Sequence, residues 1–207
     1  MKTRAEIKLQ AKEALTSRYG LSIGIYLLYS LIYSVASSFI VGAILIIPLV
    51  CGMSLVYLML YKRENPSLDI MFTSAFQENY GRKLGGILLM TLYQILWTML
   101  FIIPGIVKAY SYAMTPYILA KYTNVDANCA ITLSRRIMDG RKADLFVVDL
   151  SFIGWQILNI LTFGILGIFY VMPYMQLTKA GCFDEYLADA LASGKITEAD
   201  LGIVPEL

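Results

Sequence analysis

The sequence predicts an all-α, polytopic integral membrane protein with six short transmembrane helices, paired as three hairpins, and amphipathic cytoplasmic helices between the hairpins. Hydrophobic residues make up 58% of the chain and charged residues 15%, whereas soluble proteins average about 45–50% and 25%. The apolar residues form three blocks with almost no charge, at residues 21–61, 84–120 and 145–178. Each block is too long for one crossing of about 20 residues and suits two short ones.

A break near the middle of each apolar block predicts the turn of its hairpin. The breaks are Gly42, the pair Pro104 and Gly105, and residues 162–164. The six spans are therefore expected at residues 21–40, 44–61, 84–102, 106–121, 145–161 and 165–179. The segment before them is too acidic and too periodic for a signal peptide, so we expect the first span to remain in the protein.

The basic residues predict the orientation of the spans. Of the 17 Lys and Arg residues, all except Lys108 lie in the N-terminal segment, in residues 62–83, in residues 121–142, or from Lys179 onward. Short cytoplasmic loops collect Lys and Arg. We therefore expect both termini and both long loops in the cytoplasm, with three uncharged turns outside.

Three of the cytoplasmic segments have the pattern of short amphipathic helices. The first begins with a Thr-x-x-Glu capping box, Thr3 and Glu6, and the third begins at Asp126. The second follows the pair at residues 65–66, where a proline suits the first turn of a helix. A glycine after each segment is expected to end its helix in a left-handed conformation, at Gly20, Gly81 and Gly140.

The spacing of these glycines indicates a threefold repeat near residues 1–61, 65–121 and 126–180, within a membrane domain of residues 1–182. Any six-span chain with short loops has a similar period, so the absence of a true repeat stays an alternative. Residues 183–207 are predicted to form a solvated cytoplasmic tail, with partner binding through Leu187, Ala188 and Leu191 as the alternative.

The composition argues against several kinds of site. The chain has no histidine, which is the commonest general base and metal ligand, and its three cysteines have no paired spacing. The formal net charge of +2 does not suggest nucleic acid as a partner. We therefore expect no catalytic residue, no metal, no cofactor, no disulfide and no nucleic acid.

The predicted ligand-binding residues lie in the fourth span. Lys108 follows the expected turn by two residues, so its side chain should reach the outer headgroups. Tyr110, Tyr112, Thr115 and Tyr117 follow it and supply hydroxyl groups. We predict that these five residues bind a ligand or a lipid, and the alternative is that Lys108 only anchors the span at the interface.

Asp149 is a second charge within the membrane, near the cytoplasmic end of the fifth span. A carboxylate at that depth must face protein or water. We expect a structural ion pair with Lys142, seven residues earlier on the same helical face, or with Arg141; a proton or ion relay is the alternative. Because Lys108 is expected near the outer face, Lys108 and Asp149 should not touch.

Five stretches of the sequence resemble the bacterial membrane proteins catalogued as domain of unknown function 975. They are AKEAL, IIPGIVKAYSYAMTPYILA, LSRRIMDGRK, LFVVDLSFIGW and VMPYMQ. The resemblance covers residues 3–185 and implies a bacterial, largely Gram-positive, integral membrane protein with no established activity. The chain is also distantly similar to the membrane domains attached to some glycerophosphodiester phosphodiesterases, but their catalytic domain has no counterpart here, so no catalytic role is carried over.

These features lead to two main expectations about function. The first is a non-enzymatic protein of the bacterial plasma membrane that binds or helps to move an amphiphile, either a lipid or a hydrophobic peptide. The second is a membrane scaffold, assembly or immunity factor that contacts a cytoplasmic protein or a transporter. A third, an ion or proton pathway through Asp149, has no second intramembrane acid to complete a relay.

Overall fold

The computed structural model describes residues 2–38, 42, 44, 46–77 and 79–203, and all regular structure in these ranges is helical. Short π-helical segments lie at Thr73–Gln77 and Gly167–Val171, and a 3-10 turn lies at Ala199–Leu201. The α-helices are, in chain order, α1 (Arg4–Ser17), α2 (Tyr19–Ser37), α3 (Leu49–Tyr61), α4 (Leu68–Phe72), α5 (Tyr80–Leu100), α6 (Ile102–Tyr112), α7 (Thr115–Lys121), α8 (Ala127–Ile137), α9 (Lys142–Leu150), α10 (Ile153–Leu161) and α11 (Met172–Ala192).

Three segments of the described chain are long and apolar enough to cross a membrane. They are Tyr19–Ala36, Tyr80–Leu100 and Lys142–Leu161. Each is the first helical segment, or outgoing arm, of one predicted hairpin. The second segments, or returning arms, are not among them, so the prediction of six such helices is wrong. α3 has 13 residues and measures about 20 Å, less than the roughly 30 Å of a bilayer core. The second returning arm is divided at residues 113–114, and the third contains the π-helical segment.

The turn of the second hairpin lies earlier than the sequence predicts. α5 ends at Leu100, and Phe101 takes an extended conformation with φ −156° before α6 begins at Ile102. Pro104 therefore lies in the first turn of α6, where the missing N–H of a proline costs no helical hydrogen bond. Proline thus marks the start of the returning helix and not the turn itself.

The other two turns have different outcomes. In the third hairpin, Phe163 and Gly164 have φ of 52° and 84°, which confirms the predicted break at residues 162–164. The first predicted turn falls in residues 39–45, of which only 42 and 44 are among the described residues. At Gly42 a Cβ atom would lie 2.6 Å from the carbonyl oxygen of Ala36, so a glycine permits this close approach.

The helix ends confirm part of the predicted pattern. Thr3 and Glu6 form the capping box of α1, Asp126 caps α8, and Gly140 has φ 79°. The second amphipathic segment begins after an extended residue 67 and not directly after 65–66. The predictions for residues 20 and 81 are wrong: both lie inside helices, and the breaks fall at Arg18 and at Asn79, which has φ 50°. Asparagine tolerates the left-handed conformation, which explains the break at position 79.

The returning arms form the centre of the packed core. Ten residues of α3 are buried, and α7 and α11 are mostly buried as well. α3 contacts both α7 and α11, and the Tyr117 and Phe183 rings stack with centroids 5.0 Å apart. Each amphipathic segment lies against a returning arm of another hairpin: α1 against α11, α4 against α3, and α8 against α7.

The distal ends of the second and third hairpins expose large apolar side chains. Ile103 is 76% exposed and Phe163 is 96% exposed, and α10 has no buried residue. Contiguous apolar surface of this kind is uncommon on soluble proteins and marks contact with a membrane or another protein.

The segment after residue 182 is not a solvated tail over its first ten residues. α11 continues without a break to Ala192, and Phe183, Tyr186 and Leu187 are buried. Lys2 and Glu185 form an ion pair of 2.7 Å between the N-terminal segment and this part of α11. The apolar face that the sequence indicates around Leu187 therefore packs within the chain.

Candidate binding cavity

A cavity of about 530 Å³ lies between the second and third hairpins, within the usual range for small-ligand sites. Its walls come from α5, α6, α7, α9 and α11. Most of the wall is apolar, and a few polar groups face the same space. The residues that line it are Gln94, Thr98, Ile102, Gly105, Ile106, Ala109, Tyr110, Ala113, Met114, Tyr117, Leu145, Asp149 and Lys179.

Close packing of α5 on α6 determines one wall of the cavity. A Cβ atom at Gly105 would lie 2.6 Å from the Thr98 hydroxyl oxygen, so glycine allows the two helices to approach. The amide nitrogen of Gln94 donates to the Gly105 carbonyl at 2.7 Å. The amide oxygen of Gln94 is buried and accepts no hydrogen bond from the described residues. A buried acceptor without a donor is costly, so this group favours a ligand or water that can donate to it.

The charged groups of the cavity come from two different helices. The Asp149 carboxylate on α9 lies 3.1 Å from the Lys179 ammonium on α11. The Tyr110 hydroxyl on α6 donates to the other Asp149 oxygen at 3.2 Å. The ring of Tyr110 is held in place by an edge contact with Phe146, with centroids 5.9 Å apart. The cavity therefore has one polar region in which the charges of Asp149 and Lys179 compensate each other.

The polar and apolar parts are separated along α6. Ile102 and Tyr110 are eight residues apart, which corresponds to about 12 Å along a helix. The Ile102 end is mainly apolar and near the hairpin tip, the Gln94 amide lies beside Gly105 between the two ends, and the Tyr110 end carries the hydroxyl and the ion pair. This arrangement suits a molecule with a polar end and an apolar body.

The structure brings only part of the predicted ligand-binding set together. Tyr110 and Tyr117 line the cavity, and Asp149 joins them. Tyr112 lines a smaller neighbouring cavity of about 180 Å³ on another side of α6, and Thr115 is fully buried. The predicted five residues therefore do not form one site.

Lys108 lies on the opposite side of α6 from Tyr110, because two residues correspond to about 200° of helical rotation. Its ammonium group lies 4.5 Å from the centre of the Trp97 ring. It also lines a separate pocket with Arg135 and Lys142, residues that the predicted topology assigns to the cytoplasmic side. Lys108 lies seven residues beyond the turn at Phe101, and not two residues beyond the turn as the sequence predicts, so it is farther from the hairpin tip than expected.

The predicted partners of Asp149 are also wrong, although the prediction of an ion pair is right. Lys179, and not Lys142 or Arg141, is the partner. Arg141 instead pairs with Asp144 at 3.4 Å and with Asp189 at 2.7 Å. Asp149 and Lys108 line different cavities.

Lys179 and Gln94 are the most informative of the lining residues that the sequence analysis did not predict. Lys179 is at the end of the last apolar block and 30 residues from Asp149, so no local spacing rule connects them. Gln94 offers a clearer signal, because it is a polar amide within the uncharged run LLMTLYQILWTML. Polar residues in such runs usually face other helices or a cavity.

The described residues are all-helical, with three segments long and apolar enough to cross a membrane and a cavity between the second and third predicted hairpins. Residues 99–187 match the family model described as "Protein of unknown function (DUF975)". This match confirms the family resemblance over those residues, which carry α6 to α10, most of α11 and most of the cavity wall. No curated protein and no solved structure matches the chain.

Proposed function

We propose that this chain is a non-enzymatic protein of the bacterial plasma membrane that binds or helps to move an amphiphile, a lipid or a hydrophobic peptide. The observation that carries the proposal is the cavity between the second and third hairpins. Its apolar wall suits a hydrocarbon or apolar side chains, and its polar end suits a headgroup or a peptide group.

The polar groups of the cavity favour binding of a ligand over proton transfer. Asp149 is paired with Lys179 and also accepts from Tyr110, so its negative charge is compensated within the chain. The unpaired amide oxygen of Gln94 is the group that a ligand would satisfy. A ligand with an N–H or O–H donor is therefore the best match to this cavity.

The proposed topology has six membrane segments, with each long outgoing arm followed by a shorter returning arm. Both termini and the amphipathic helices are in the cytoplasm in this proposal. The exposed apolar side chains at the hairpin ends, such as Phe163, support contact with lipid. The three structural repeats that the sequence indicates are part of the same proposal, and the similar placement of α1, α4 and α8 against returning arms supports it.

Cysteine labelling tests the topology. Cys129 is exposed on α8, whereas Cys51 and Cys182 are buried. We expect an impermeant maleimide to modify Cys129 only when it has access to the cytoplasmic side. In a Cys129→Ser background, Phe163→Cys is expected to react from the outside. Reaction of both positions from the same side, or no reaction of Phe163→Cys from either side, contradicts six crossings.

Native mass spectrometry of the protein purified from its membrane tests the ligand. We expect one amphiphile, lipid or peptide, to remain bound after detergent exchange. Ala109→Phe fills the cavity and is expected to abolish retention, whereas Ala143→Phe adds the same bulk at an exposed helical alanine outside it. Equal retention by the two variants refutes the cavity as the site, and no retention by the unmodified protein favours the scaffold alternative.

A further inference from the structure

We propose that the pocket on the other side of α6, around Lys108, Arg135 and Lys142, binds a phosphate group. This pocket has a volume of about 480 Å³ and lies between α6, α8 and the start of α9. It is distinct from the apolar cavity, and none of its lining residues is shared with that cavity. The family match assigns no role to it, and Lys108 is the one member of the predicted set of five residues that lines it.

The pocket has a strong excess of positive charge. Five of the described residues that line it are basic, whereas Asp139 is the one acidic residue among them. The basic residues are Lys108, Arg135, Arg136, Lys142 and Lys195. The Thr132 hydroxyl faces the same space and adds a hydrogen-bond donor.

Two of the five cations have polar partners within the chain. Arg136 lies 3.8 Å from the carboxylate of Asp200. Lys195 donates to the backbone carbonyl of Asp139 at 2.9 Å. Arg136 is thus directed at the segment after α11, whereas Lys195, which belongs to that segment, is held at the edge of the pocket.

The remaining three cations have no carboxylate partner in the part of the chain that the structure describes. Arg135 and Lys142 form no ion pair there. Lys108 contacts the Trp97 ring, which does not neutralise its positive charge. Like charges that share a pocket repel each other, and a bound anion removes this cost. An anion bound between α6, α8 and α9 would therefore be stabilised by these three positive charges.

Phosphate is the anion whose chemistry fits best. The guanidinium fork of Arg135 matches two phosphate oxygens, and the flexible Lys108 and Lys142 ammonium groups approach the others as point charges. The pocket joins the charged polar face of α8 to an apolar hairpin, and the Trp97 ring lies against the ammonium group of Lys108. Basic pockets between helices at this level of a membrane bind phosphorylated headgroups.

The phosphate has two sources that share this chemistry, an anionic lipid headgroup and a soluble phosphate compound. The inference does not rest on the amphiphile proposal, because its residues lie outside that cavity. Ala109→Phe should leave phosphate binding unchanged, and changes at Arg135 and Lys142 should leave amphiphile retention unchanged. The two proposals therefore fail or succeed separately.

The test uses the full chain in phosphatidylcholine nanodiscs. Radiolabelled inorganic phosphate is titrated by equilibrium dialysis at constant ionic strength, and retention of added phosphatidic acid is measured by native mass spectrometry. We expect the double variant Arg135→Gln with Lys142→Gln to weaken binding by about tenfold or more, since each charged hydrogen bond contributes strongly. The matched control, Lys12→Gln with Arg18→Gln, removes the same two charges from outside the pocket and should bind as the unmodified chain does.

Trp97 provides an independent reading of the same site. Trp155→Phe leaves Trp97 as the sole tryptophan, since the chain has two. Its emission should shift when phosphate displaces the Lys108 ammonium group, and the Arg135 and Lys142 changes keep this reporter intact. Binding of inorganic phosphate supports a soluble phosphate compound, and binding of phosphatidic acid alone supports a lipid headgroup. Binding of neither probe, or equal binding by the two double variants, overturns the proposal.

Discussion

The contact between Gly181 and its neighbours provides a sharp test of how α1, α3 and α11 pack. A Cβ atom at Gly181 would lie 2.5 Å from the Tyr61 ring and 2.9 Å from a methyl group of Ile7. It would thus stand about 0.9 Å inside ordinary van der Waals contact with the ring. The ring is only 1% exposed, and its hydroxyl lies 3.1 Å from the Gln10 amide oxygen, so it has little freedom to move. We therefore expect Gly181→Ala to strain the junction of all three helices.

The size of the effect follows from two opposing contributions. Overpacking a core costs about 1–3 kcal/mol, and replacing a helical glycine by alanine stabilises by about 1 kcal/mol. Gly85→Ala is the matched control, because nothing lies within 4 Å of its Cβ position and only the second contribution applies. The free energy of unfolding should differ between the variants by about 1–3 kcal/mol, or roughly 2–12 °C in Tm for a domain of this size.

Thermal unfolding in detergent, followed by intrinsic fluorescence, measures this difference. The unmodified chain is scanned beside both variants at the same lipid and detergent content. If Gly181→Ala unfolds at the same temperature as Gly85→Ala or above it, the close packing at this junction is refuted.

Three further predictions concern individual polar contacts. The Arg82 guanidinium donates to three backbone carbonyls at and after the end of α7, including one at 2.6 Å. Arg82→Lys should lower the free energy of unfolding by about 1–3 kcal/mol in the same assay. An unchanged unfolding midpoint contradicts this prediction. The backbone N–H of Thr3 holds the pKa of Glu6 below its usual value, so the stabilisation is complete above the ordinary carboxyl pKa and is lost as pH falls below it. The Thr3 hydroxyl donates to the same Glu6 oxygen at 2.9 Å and lowers the pKa further. Thr3→Ala keeps the backbone N–H but removes this hydroxyl, so it should reduce the acid-side loss in part, and identical pH profiles of the two proteins contradict the hydroxyl contact. Asp149→Asn leaves the Lys179 charge uncompensated and should destabilise the chain by about 1–3 kcal/mol. Adding Lys179→Met should recover part of the lost stability. A double variant that is less stable than Asp149→Asn alone contradicts the ion pair.

The local features of the fold were largely predictable, because they depend on residues close in sequence. The capping box of Thr3, the Asp126 cap and the left-handed Gly140 follow from the chemistry of single positions. The break at residues 162–164 follows in the same way. The division of the chain into three apolar blocks indicates where the three outgoing arms lie.

Features that depend on distant residues were not predictable by the same reasoning. Spacing suggests Lys142 as the partner of Asp149, but the partner Lys179 comes from another helix. The depth of Lys108 depends on whether the chain turns at Phe101 or at Pro104, and a proline is compatible with both. The cavity itself requires the relative position of five helices, which no periodicity in the sequence contains.

The contact of α1 with α11 joins helices from near the two ends of the described chain. The Tyr174 hydroxyl donates to the Lys8 carbonyl at 3.2 Å across 166 positions of the chain, and Lys2 pairs with Glu185. The buried face of α1, which carries Ile7 and Leu15, is thus covered mainly by a helix from the far end of the described chain. A truncation that removes α11 therefore uncovers residues near the start of the described chain, so the two ends depend on each other for burial.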